Sequence, residues 1–378
     1  MRSFHLVIVG GGIGGAACAL RAAQHGLEVC WVRGDKSTAK ASRARYVVNV
    51  DNMIGVHEGI GKRKLLEVLS SPEHAAARAA AEAAHFHIGT QDIVENVDER
   101  LRREFPEHVT FVDEKAVEAR REGERFIITT SSGIELPAGA VVLATGVMDR
   151  QPKVKRTTSS GQVIDQVHWI YPWANAETFL YCILCEGHLV RGAKVAVFGS
   201  SETAAQVALM LHERSGAALT LLGNGEALTA TGDTKRLLDA YGIAFRQERV
   251  VEIVDAGEKP KGSSLHGIRL EDGTLVEARF AMVAMGLHRV YNDLARQLGA
   301  KLDSRDNGPD EERHVLVDEA ASETSVRDLF AVGDMSRRLG DAPSLKQIYT
   351  AQEYAVRAIQ AIDRRVRAAR RKEVLARR

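Results

Sequence analysis

Short apolar runs, each followed by a glycine-rich turn and an alanine-rich stretch, dominate the hydrophobic pattern of this chain. Residues 4–9 are mostly apolar, residues 10–15 are almost all glycine, and residues 16–23 are rich in alanine. An apolar run that stops at a tight turn before a helical pattern predicts a strand, a turn and a helix. The same order returns at residues 192–204. The repeat predicts an α/β protein with two units of parallel strands.

The first glycine turn has the spacing of a dinucleotide-binding loop. Gly10, Gly12 and Gly15 occupy the three glycine positions of G-x-G-x-x-G, and Gly14 lies between the last two. Without Cβ atoms these residues permit the turn, a close approach to a pyrophosphate and close packing of helix on strand. N–H groups at the start of the following helix would bind the pyrophosphate. The turn therefore predicts a dinucleotide site, and a purely structural glycine turn is the alternative.

An acid that binds the adenosine ribose is expected after the second strand of such a fold. The second apolar run covers residues 28–32, and the nearest acid beyond it is Asp35. Asp35 is therefore a candidate ribose ligand. The alternative interpretation is an ordinary loop carboxylate.

The second turn is a weaker version of the same loop. Gly199, Ser201 and Ala204 occupy the three special positions, and the serine and alanine are small enough to keep the backbone close to a phosphate. The strand that follows ends near Gly223. No arginine stands there to bind a 2′-phosphate, and no acid stands in the ribose position unless Glu226 reaches back. We therefore expect a nucleotide fold without the charge pattern for NADPH.

The remaining segments are predicted as ordinary helices and strands. Helical patterns cover residues 62–85 and 97–105, and a long helix opens at residues 344–351 and ends in the basic run 364–372. The basic run is typical of a solvated terminus, and docking of an acidic protein is the alternative. Alternating strands are expected at residues 109–112, 116–119, 126–130, 249–254, 266–270 and 275–278.

Length and charge limit the class of protein. At 378 residues the chain is long enough for two domains, and 51 basic against 50 acidic residues give a net charge of +1. That balance offers no field that attracts nucleic acid. No apolar run is long enough to span a bilayer, and no signal-type segment opens the chain. We expect a soluble, cytoplasmic protein without a nucleic-acid or membrane partner.

The four cysteines fall into two kinds. Cys18 and Cys30 lie in apolar helix and strand patterns and are predicted to be small core residues. Cys182 and Cys185 are two residues apart, and beside two nucleotide folds this spacing favours a redox pair. Two other interpretations stay open: half of a zinc site, for which only His188 lies nearby, and a pair of inert buried thiols.

Taken in order, these motifs resemble the low-molecular-weight thioredoxin reductase family over nearly the whole chain. The first glycine loop is similar to that family's FAD pyrophosphate loop, and Cys182, Cys185, Glu186 and Gly187 match its C-x-x-C-D-G. Residues 50–55 are similar to the family's V-E-N-x-P-G, which implies that Asn52 lies near the flavin, and Thr145 and Gly146 match its A-T-G. Gly333 and Asp334 match the G-D that binds the flavin ribityl chain. Lys346 and Gln347 stand where the family has the R-Q beside the isoalloxazine ring.

The resemblance implies a fold and a cofactor. The fold is α/β, with two Rossmann-like dinucleotide-binding domains, the second inserted into the first. Residues 1–150 and 287–378 are expected to form the FAD-binding domain, and residues 151–286 the domain that carries the cysteine pair. A homodimer is implied as well.

The resemblance also assigns roles around the cysteine pair. It implies that Cys185 faces the C4a edge of the flavin and that Cys182 attacks the substrate disulfide. Glu186 replaces the family's aspartate as the expected proton donor or acceptor, and His188 is a second candidate for that role. A surface carboxylate and a histidine with a structural role are the alternatives for these two residues.

The chain departs from the family in three places. Where NADPH-using members carry H-R-R-x-x-x-R, this chain has glycine, asparagine and glycine at 223–225, so NADPH is not the expected donor. NADH stays open, and so does loss of the nucleotide, as in relatives that take electrons from reduced ferredoxin. The insertion 155–180 is dense in aromatic residues, for which a substrate platform and packing at the domain interface are both open. Arg43 and Arg45 lie where the family has G-G-Q-L.

The function implied by the resemblance is that of an FAD-dependent disulfide reductase. Electrons pass from a donor through FAD to the Cys182–Cys185 pair and on to a thioredoxin-like protein or a small disulfide. Two other enzyme functions stay open: a ferredoxin-dependent thioredoxin reductase, and a thiol oxidase that acts on a small dithiol with oxygen. A flavoprotein without catalysis, whose cysteine pair is regulatory or structural, is the alternative outside enzymes.

Overall fold

Strands and the helices between them make up most of the chain in this computed structural model. The structure describes residues 3–40, 43, 47–50, 52–56, 58–84, 87–157, 163–166, 168–257, 264–306, 308–340 and 345–377. The strands are β1 (Phe4–Val9), β2 (Val29–Val32), β3 (Val109–Val112), β4 (Ala116–Glu122), β5 (Arg125–Thr130), β6 (Glu135–Leu143), β7 (Val147–Asp149), β8 (Val154–Thr157), β9 (Val163–Gln166), β10 (Phe179–Leu180), β11 (Lys194–Phe198), β12 (Ala218–Leu222), β13 (Ala244–Arg246), β14 (Val250–Asp255), β15 (Leu265–Leu270), β16 (Leu275–Glu277), β17 (Phe280–Val283), β18 (Leu287–Val290), β19 (Val315–Val317), β20 (Leu329–Ala331) and β21 (Ser336–Arg338). The helices are α1 (Ile13–Gln24), α2 (Lys36–Lys40), α3 (Glu58–Val68), α4 (Ala75–Ala83), α5 (Thr90–Glu104), α6 (Tyr171–Asn175), α7 (Ile183–Glu186), α8 (Glu202–Ser215), α9 (Gly232–Ala240), α10 (Asp293–Gln297) and α11 (Ile348–Ala376).

The chain divides into two units, which we call unit 1 and unit 2. The middle of the chain forms most of unit 2 and interrupts the sequence of unit 1. Residues 46–54 also group with unit 2, whereas the predicted division placed them in the FAD-binding domain. Unit 1 comprises Met1–Arg45, Gly55–Met148 and His288–Arg378, and unit 2 comprises Tyr46–Ile54 and Asp149–Leu287.

The described strands of unit 1 include a seven-stranded sheet in the order β3-β2-β1-β6-β5-β4, with β20 beside β6. The strands β3, β2, β1, β6 and β20 pair in parallel, whereas β5 is antiparallel to both β6 and β4. Alanines let α1 and α11 pack closely, since Ala19, Ala22, Ala355 and Ala358 are all buried in one cluster. The turn between β1 and α1 therefore lies at the carboxyl end of a parallel sheet, where nucleotide folds place their ligand.

Unit 2 contains a parallel sheet in the order β10-β17-β11-β12-β13 and an antiparallel sheet of β14, β15 and β16. α8 covers the parallel sheet through Ala204, Ala205 and Ala208, which are fully buried. The second glycine turn joins β11 to α8 and so lies at the carboxyl end of this sheet. Each unit thus has the strand, turn and helix order of a Rossmann-like fold, and the predicted fold class is confirmed.

The aromatic insertion packs inside unit 2. Trp169 and Trp173 contact Phe179, with ring centroids 5.2 Å and 6.0 Å apart, and Phe179 in turn contacts Phe198 at 5.9 Å. Trp173, Phe179 and Phe198 are each 3% exposed or less. These rings fill the space beside β10 and β11. Burial of aromatic area inside one unit accounts for the aromatic density of this segment.

The two core cysteines are confirmed. Cys18 and Cys30 are fully buried and free of disulfide bonds. Burial raises the pKa of the Cys18 thiol far above its ordinary value. A thiol that stays protonated is a poor nucleophile, so Cys18 is expected to be inert.

α11 has a buried part and an exposed part. Its buried residues end at Asp363, and residues 368–377 are all exposed. Within the basic run, residues 368–372 are therefore exposed, whereas Arg365 pairs with Glu323 and Asp328. Of the helices described, none combines the length and the apolar character that a membrane span needs.

Candidate functional site

Three turns of unit 1 meet at the carboxyl ends of β1, β6 and β20. The Val9 carbonyl oxygen accepts the N–H of Ala144 at 2.7 Å, and the Leu143 carbonyl oxygen accepts the N–H of Val332 at 2.9 Å. Gly14 of α1 packs against both Val332 and Ala144. These contacts bring the first glycine turn, the A-T-G turn and the G-D turn side by side.

Two of the first-turn glycines are needed for packing, and a third faces open space. Gly10 has a φ of +133°, and a Cβ on Gly15 would overlap the Gly10 carbonyl oxygen. Gly12 is the N-cap residue of α1, and a Cβ built on it meets no heavy atom within 4 Å. Among the described residues no side chain caps α1, and its first turn carries no acid. The free N–H groups, the positive helix end and the space beside Gly12 fit the FAD pyrophosphate.

The Asp334 carboxylate is paired with Arg43. Nη1 of Arg43 lies 3.0 Å from Oδ2 of Asp334, and each side chain is 23% exposed. The pair lies in the G-D turn, beside the two other turns. Sequence reasoning named Arg43 only as a departure from the family and assigned it no role, while Arg45 lies outside the described residues. The structure thus adds a cation to the predicted flavin site, and the ribityl role of Asp334 stays a prediction.

The A-T-G turn is hydrogen-bonded to Tyr291, which directly follows β18, where the chain returns to unit 1. Oγ1 of Thr145 donates to the Tyr291 carbonyl oxygen and also lies 3.1 Å from Sδ of Met335. The Tyr291 N–H donates to the Gly146 carbonyl oxygen at 3.1 Å. These bonds fix the shape of the turn. The predicted contact of Thr145 and Gly146 with FAD stays a prediction.

The start of α11 lies against the G-D turn. A Cβ built on Gly333 would be 3.6 Å from Cβ of Ala351 in the first turns of α11. Gln347 is the N-cap residue of α11 and is 5% exposed, and Lys346 precedes it. The predicted pair of Lys346 and Gln347 is therefore at the same end of the sheet as Asp334. Asn52, by contrast, is exposed in the segment that groups with unit 2, and its predicted place near the flavin stays untested.

Asp35 has a local structural role in this structure. Its Oδ1 accepts the N–H groups of Ser37 and Thr38, both at 2.9 Å, and the Ser37 hydroxyl at 2.6 Å. These hydrogen bonds from Ser37 and Thr38 lower the pKa of Asp35 to about 2. The carboxylate therefore caps α2. Its role as ribose ligand stays a prediction that depends on the second oxygen, Oδ2.

Cys182 and Cys185 form a disulfide, with Cα atoms 5.2 Å apart. Cys182 is the N-cap residue of α7, and its Sγ accepts the Cys185 N–H at 3.2 Å. Both cysteines are partly exposed, and Leu184 between them is 47% exposed. Within the described residues no group of three or more histidine, cysteine or acidic side chains could hold a metal ion. A partly exposed disulfide at a helix start favours the redox interpretation over a zinc site or buried inert thiols.

Glu186 is bonded to the backbone just ahead of the disulfide. Its Oε2 accepts the N–H groups of Tyr181 at 2.9 Å and of Cys182 at 3.0 Å. Tyr181 is fixed in turn, since its hydroxyl donates to Oε1 of Gln151 at 2.6 Å. His188 is exposed on the following turn. The structure therefore brings Glu186 to the cysteine pair through the backbone, a contact that the sequence did not predict.

The second glycine turn keeps the form of a nucleotide loop. Gly199 has a φ of +152°, and a Cβ on it would be 2.7 Å from the Ala284 carbonyl oxygen. Ser201 caps α8, because its Oγ accepts the Ala204 N–H at 3.2 Å. Ser201, Glu202 and the next residue are exposed, so the start of α8 is open to solvent. The predicted nucleotide contacts of Gly199, Ser201 and Ala204 stay predictions.

Sequence comparison identifies the family of the chain. The sequence profile of the pyridine nucleotide-disulphide oxidoreductase family matches residues 4–355, which include both glycine turns, the cysteine pair and the G-D turn. The chain belongs to this family. The predicted enzyme class, an FAD-dependent disulfide oxidoreductase, is thereby confirmed.

Individual relatives of this oxidoreductase are distant. Ferredoxin–NADP reductase of Ignicoccus hospitalis is 24% identical over 242 residues, which cover 64% of this chain and 69% of that protein. Thioredoxin reductase of Borreliella burgdorferi is 24% identical over 222 residues, which cover 58% of this chain and 60% of that protein. The crystal structure of thioredoxin reductase from Streptococcus pyogenes has a TM-score of 0.70 at 18% identity and covers 97% of this chain and 99% of its own. At that identity the likeness is one of fold.

Unit 1 of this oxidoreductase also contains a buried cluster of charged residues that the sequence did not predict. Asp303, 2% exposed, accepts from Arg337 at 2.8 Å and from Arg305 at 2.9 Å. Nδ1 of His314 lies 2.9 Å from Oδ2 of Asp306, whose Oδ1 pairs with Arg337 at 2.9 Å. Against the opposing effect of burial, hydrogen bonds from Arg305 and Arg337 lower the pKa of Asp303 to about 2. The cluster joins the segment between α10 and β19 to β21, the strand that follows the G-D turn in the sequence.

Mild acid is expected to destabilise this oxidoreductase through His314. Burial, together with the charge of Lys346, lowers the pKa of His314 from 6.5 to about 4. The unfolded chain therefore binds a proton before the folded chain does, so stability is complete above pH 6.5 and falls toward pH 4, by up to about 3 kcal/mol. Urea unfolding at neutral pH and near pH 4.5 measures the loss.

The same measurement on two variants isolates the effect of His314. His314→Gln should flatten the stability profile in this range, whereas His288→Gln, at an exposed histidine in unit 1, should keep it. An equally steep profile in His314→Gln would assign the acid sensitivity to other groups.

Proposed function

We propose that this protein reduces a disulfide substrate through the Cys182–Cys185 pair, with FAD as its electron carrier. The observation that carries the proposal is the position of the pair: a partly exposed disulfide whose first sulfur lies at the start of α7. The Cys185 N–H, which donates to that sulfur at 3.2 Å, favours a thiolate there once the disulfide is open. An open pyrophosphate position at α1 in the same chain supports the flavin part of the proposal.

The cysteine residues carry the exchange with the substrate. When bound, FAD supplies the two-electron chemistry that opens the disulfide. The Cys182 thiolate then attacks one sulfur of the substrate disulfide, which forms a mixed disulfide and releases a thiolate that takes up a proton. Cys185 attacks the Cys182 sulfur next. This second attack restores the Cys182–Cys185 disulfide and releases the other half of the substrate as a thiol.

Glu186 is proposed to serve this exchange in two ways. By accepting the N–H groups of Tyr181 and Cys182, its carboxylate holds the backbone that presents the Cys182 sulfur. By its place one residue after Cys185 it is also the nearest acid in sequence to both sulfurs, which suits it to give or take the thiol proton. His188, exposed two residues further on, is a second proton carrier.

Replacing Glu186 is expected to separate these two roles. Glu186→Gln keeps an oxygen that can accept the two N–H groups but cannot carry a proton, so turnover should fall about a hundredfold and its pH profile should change. Steady-state rates from about pH 6 to pH 9 measure both. Glu213→Gln, at an exposed glutamate of α8 in the same unit, should leave rate and profile unchanged. An unaltered profile in Glu186→Gln would leave Glu186 with the backbone role alone.

Two partner classes are supported by the relatives. The thioredoxin reductase relative supports a thioredoxin-like protein as electron acceptor, and a small disulfide is the other acceptor that a partly exposed pair can admit. For the donor we propose NADH, because residues 223–225 themselves include no lysine or arginine that could bind the 2′-phosphate of NADPH. Reduced ferredoxin is the second donor class, supported by the ferredoxin–NADP reductase relative.

A single reaction tests the direction of the chemistry. Protein reduced with dithionite without oxygen is mixed with an aromatic disulfide and, separately, with an oxidised thioredoxin-like protein. Release of substrate thiols and return of the Cys182–Cys185 disulfide are expected. If no thiols appear while a small dithiol drives oxygen consumption, the protein is a thiol oxidase instead; if neither reaction occurs, the cysteine pair is not catalytic.

A further inference from the structure

The segment after β12 folds back onto the second glycine turn. Oγ of Ser200 donates to Oε2 of Glu226 at 2.7 Å, and the Thr229 N–H donates to the Ser200 carbonyl oxygen at 2.7 Å. Ser200 is 8% exposed, so the serine that holds this carboxylate is itself nearly buried. Glu226, four positions beyond the end of β12, is therefore held beside Ser200, in the middle of the second glycine turn.

The turn that carries Glu226 is fixed on both sides. Asn224 has a φ of +50°, and its side chain makes two hydrogen bonds to the backbone. Its Nδ2 donates to the Lys153 carbonyl oxygen at 2.9 Å, and its Oδ1 accepts the Val250 N–H at 2.8 Å. The Glu226 N–H closes the turn on the Gly223 carbonyl oxygen at 3.0 Å. The position of the carboxylate is therefore determined by the fold of unit 2.

A carboxylate beside the glycine turn can serve as a ribose ligand. Rossmann-like folds that bind NADH use an acid near the glycine turn to accept hydrogen bonds from the adenosine ribose. Glu226 is exposed, and in the described part of the chain only its Oε2 has a partner, so Oε1 is left to accept from a hydroxyl. We propose that Glu226, held by Ser200, is the residue by which unit 2 selects NADH over NADPH. This inference rests on the proposed function, since it names the donor of the same electron path.

The charges around the turn support this choice of donor. Glu202, in the first turn of α8, accepts from Thr231 and Thr234, and hydrogen bonds from Thr234 and Gln206 lower its pKa. Two carboxylates therefore flank the turn, and both repel a 2′-phosphate. The opposing cation is Arg249, which is exposed and whose Nε would lie 3.3 Å from a Cβ built on Gly225. If Arg249 governed binding, NADPH would be preferred.

A pair of fragments tests the choice without requiring turnover. ADP-ribose and 2′-phospho-ADP-ribose differ only in the phosphate on the adenosine ribose. Isothermal titration calorimetry of the FAD-loaded protein should show tighter binding of ADP-ribose by at least about tenfold. Anaerobic bleaching of the flavin absorbance by NADH and NADPH should show the same preference. Preference for the phosphorylated fragment, or for NADPH, would overturn the inference.

Variants assign the preference to Glu226. Glu226→Gln should reduce the ratio of the two affinities about tenfold or more. Ser200→Ala should move the ratio in the same direction by less, because it frees the carboxylate without removing it. Glu252→Gln removes an equal charge from β14, 56% exposed and paired with Arg269, and should change nothing. An unchanged ratio in Glu226→Gln would overturn the assignment.

Failure of this inference is distinguishable from failure of the proposed function. If neither fragment binds and neither nucleotide bleaches the flavin, unit 2 has no nucleotide site and the inference fails. Dithionite-reduced protein can still be mixed with a disulfide substrate in that case. Release of thiols would then leave the disulfide reductase function standing and make reduced ferredoxin the donor to test.

Discussion

Cys182→Ser is expected to lower disulfide turnover on the order of 10³-fold or more, because it removes the sulfur that attacks the substrate. The serine hydroxyl at this position is far less nucleophilic than the thiolate it replaces. The fold should survive, since Cys182 is partly exposed and oxygen is smaller than sulfur. Flavin reduction by the donor should also survive. Thiol release from an aromatic disulfide, measured beside anaerobic flavin bleaching, separates the two effects.

Cys185→Ser is the matched variant for this prediction. It keeps the attacking sulfur of Cys182 but removes the sulfur that resolves the mixed disulfide. A single substrate thiol should then stay bound to Cys182, which mass spectrometry of the intact protein detects. Substrate trapped on Cys185 in the Cys182→Ser variant would reverse the two roles. Normal turnover in Cys182→Ser would contradict the proposed function.

Gly15→Ala is expected to destabilise unit 1 by at least about 3 kcal/mol, because the new Cβ overlaps a backbone atom that cannot move aside. That atom is the Gly10 carbonyl oxygen, which also accepts the Trp31 indole N–H at 2.9 Å. Relief of the clash would push α1 away from β1 and disturb the FAD loop with it. Loss of soluble folded protein, or a large drop in the urea midpoint, measures the effect.

Gly12→Ala is the matched substitution three residues earlier. Its Cβ enters space that holds no protein atom, so the free energy of unfolding should change by about 1 kcal/mol or less. The same Cβ occupies the position where a pyrophosphate approaches the backbone, and FAD should bind about 10- to 100-fold more weakly, the equivalent of about 1–3 kcal/mol. Equal FAD affinity in Gly12→Ala and in the unchanged protein would contradict the placement of FAD at this turn.

Local features of the sequence predicted much of the fold. The first glycine turn, α1 and β1 follow from a short pattern of residue sizes, and the structure places Gly10, Gly14 and Gly15 in contacts that a Cβ would tighten or block. The repeat of that pattern at β11 and α8 predicted the second parallel sheet. A glycine pattern can be recognised in a sequence because the close backbone packing that requires it involves residues only a few positions apart.

Long-range pairs were not predictable in the same way. Arg43 and Asp334 are 291 positions apart, and nothing in the residues around either one indicates the other. The Asp303, His314 and Arg337 cluster likewise depends on strands that come together only in the folded chain. Asp35 is the opposite case. It was predicted to bind the adenosine ribose, whereas in the structure its carboxylate accepts hydrogen bonds from its neighbours Ser37 and Thr38.

Several predictions from the family resemblance stay predictions. The contact of Cys185 with the flavin, the homodimer and the cytoplasmic location depend on a bound cofactor, a second copy or a cell, and a single chain does not contain these. The acceptor disulfide belongs to the same group. Membership in the oxidoreductase family is confirmed, and it leaves the choice of acceptor open.

Anaerobic reductive titration of the FAD-loaded protein tests the central claim most directly. If the flavin and the Cys182–Cys185 disulfide belong to one electron path, dithionite should deliver about four electrons per chain, two for each group, and two new thiols should appear with them. Cys182→Ser should take up about two. Uptake of only about two electrons by the unchanged protein, with the disulfide still intact, would show that the cysteine pair is not in redox contact with the flavin.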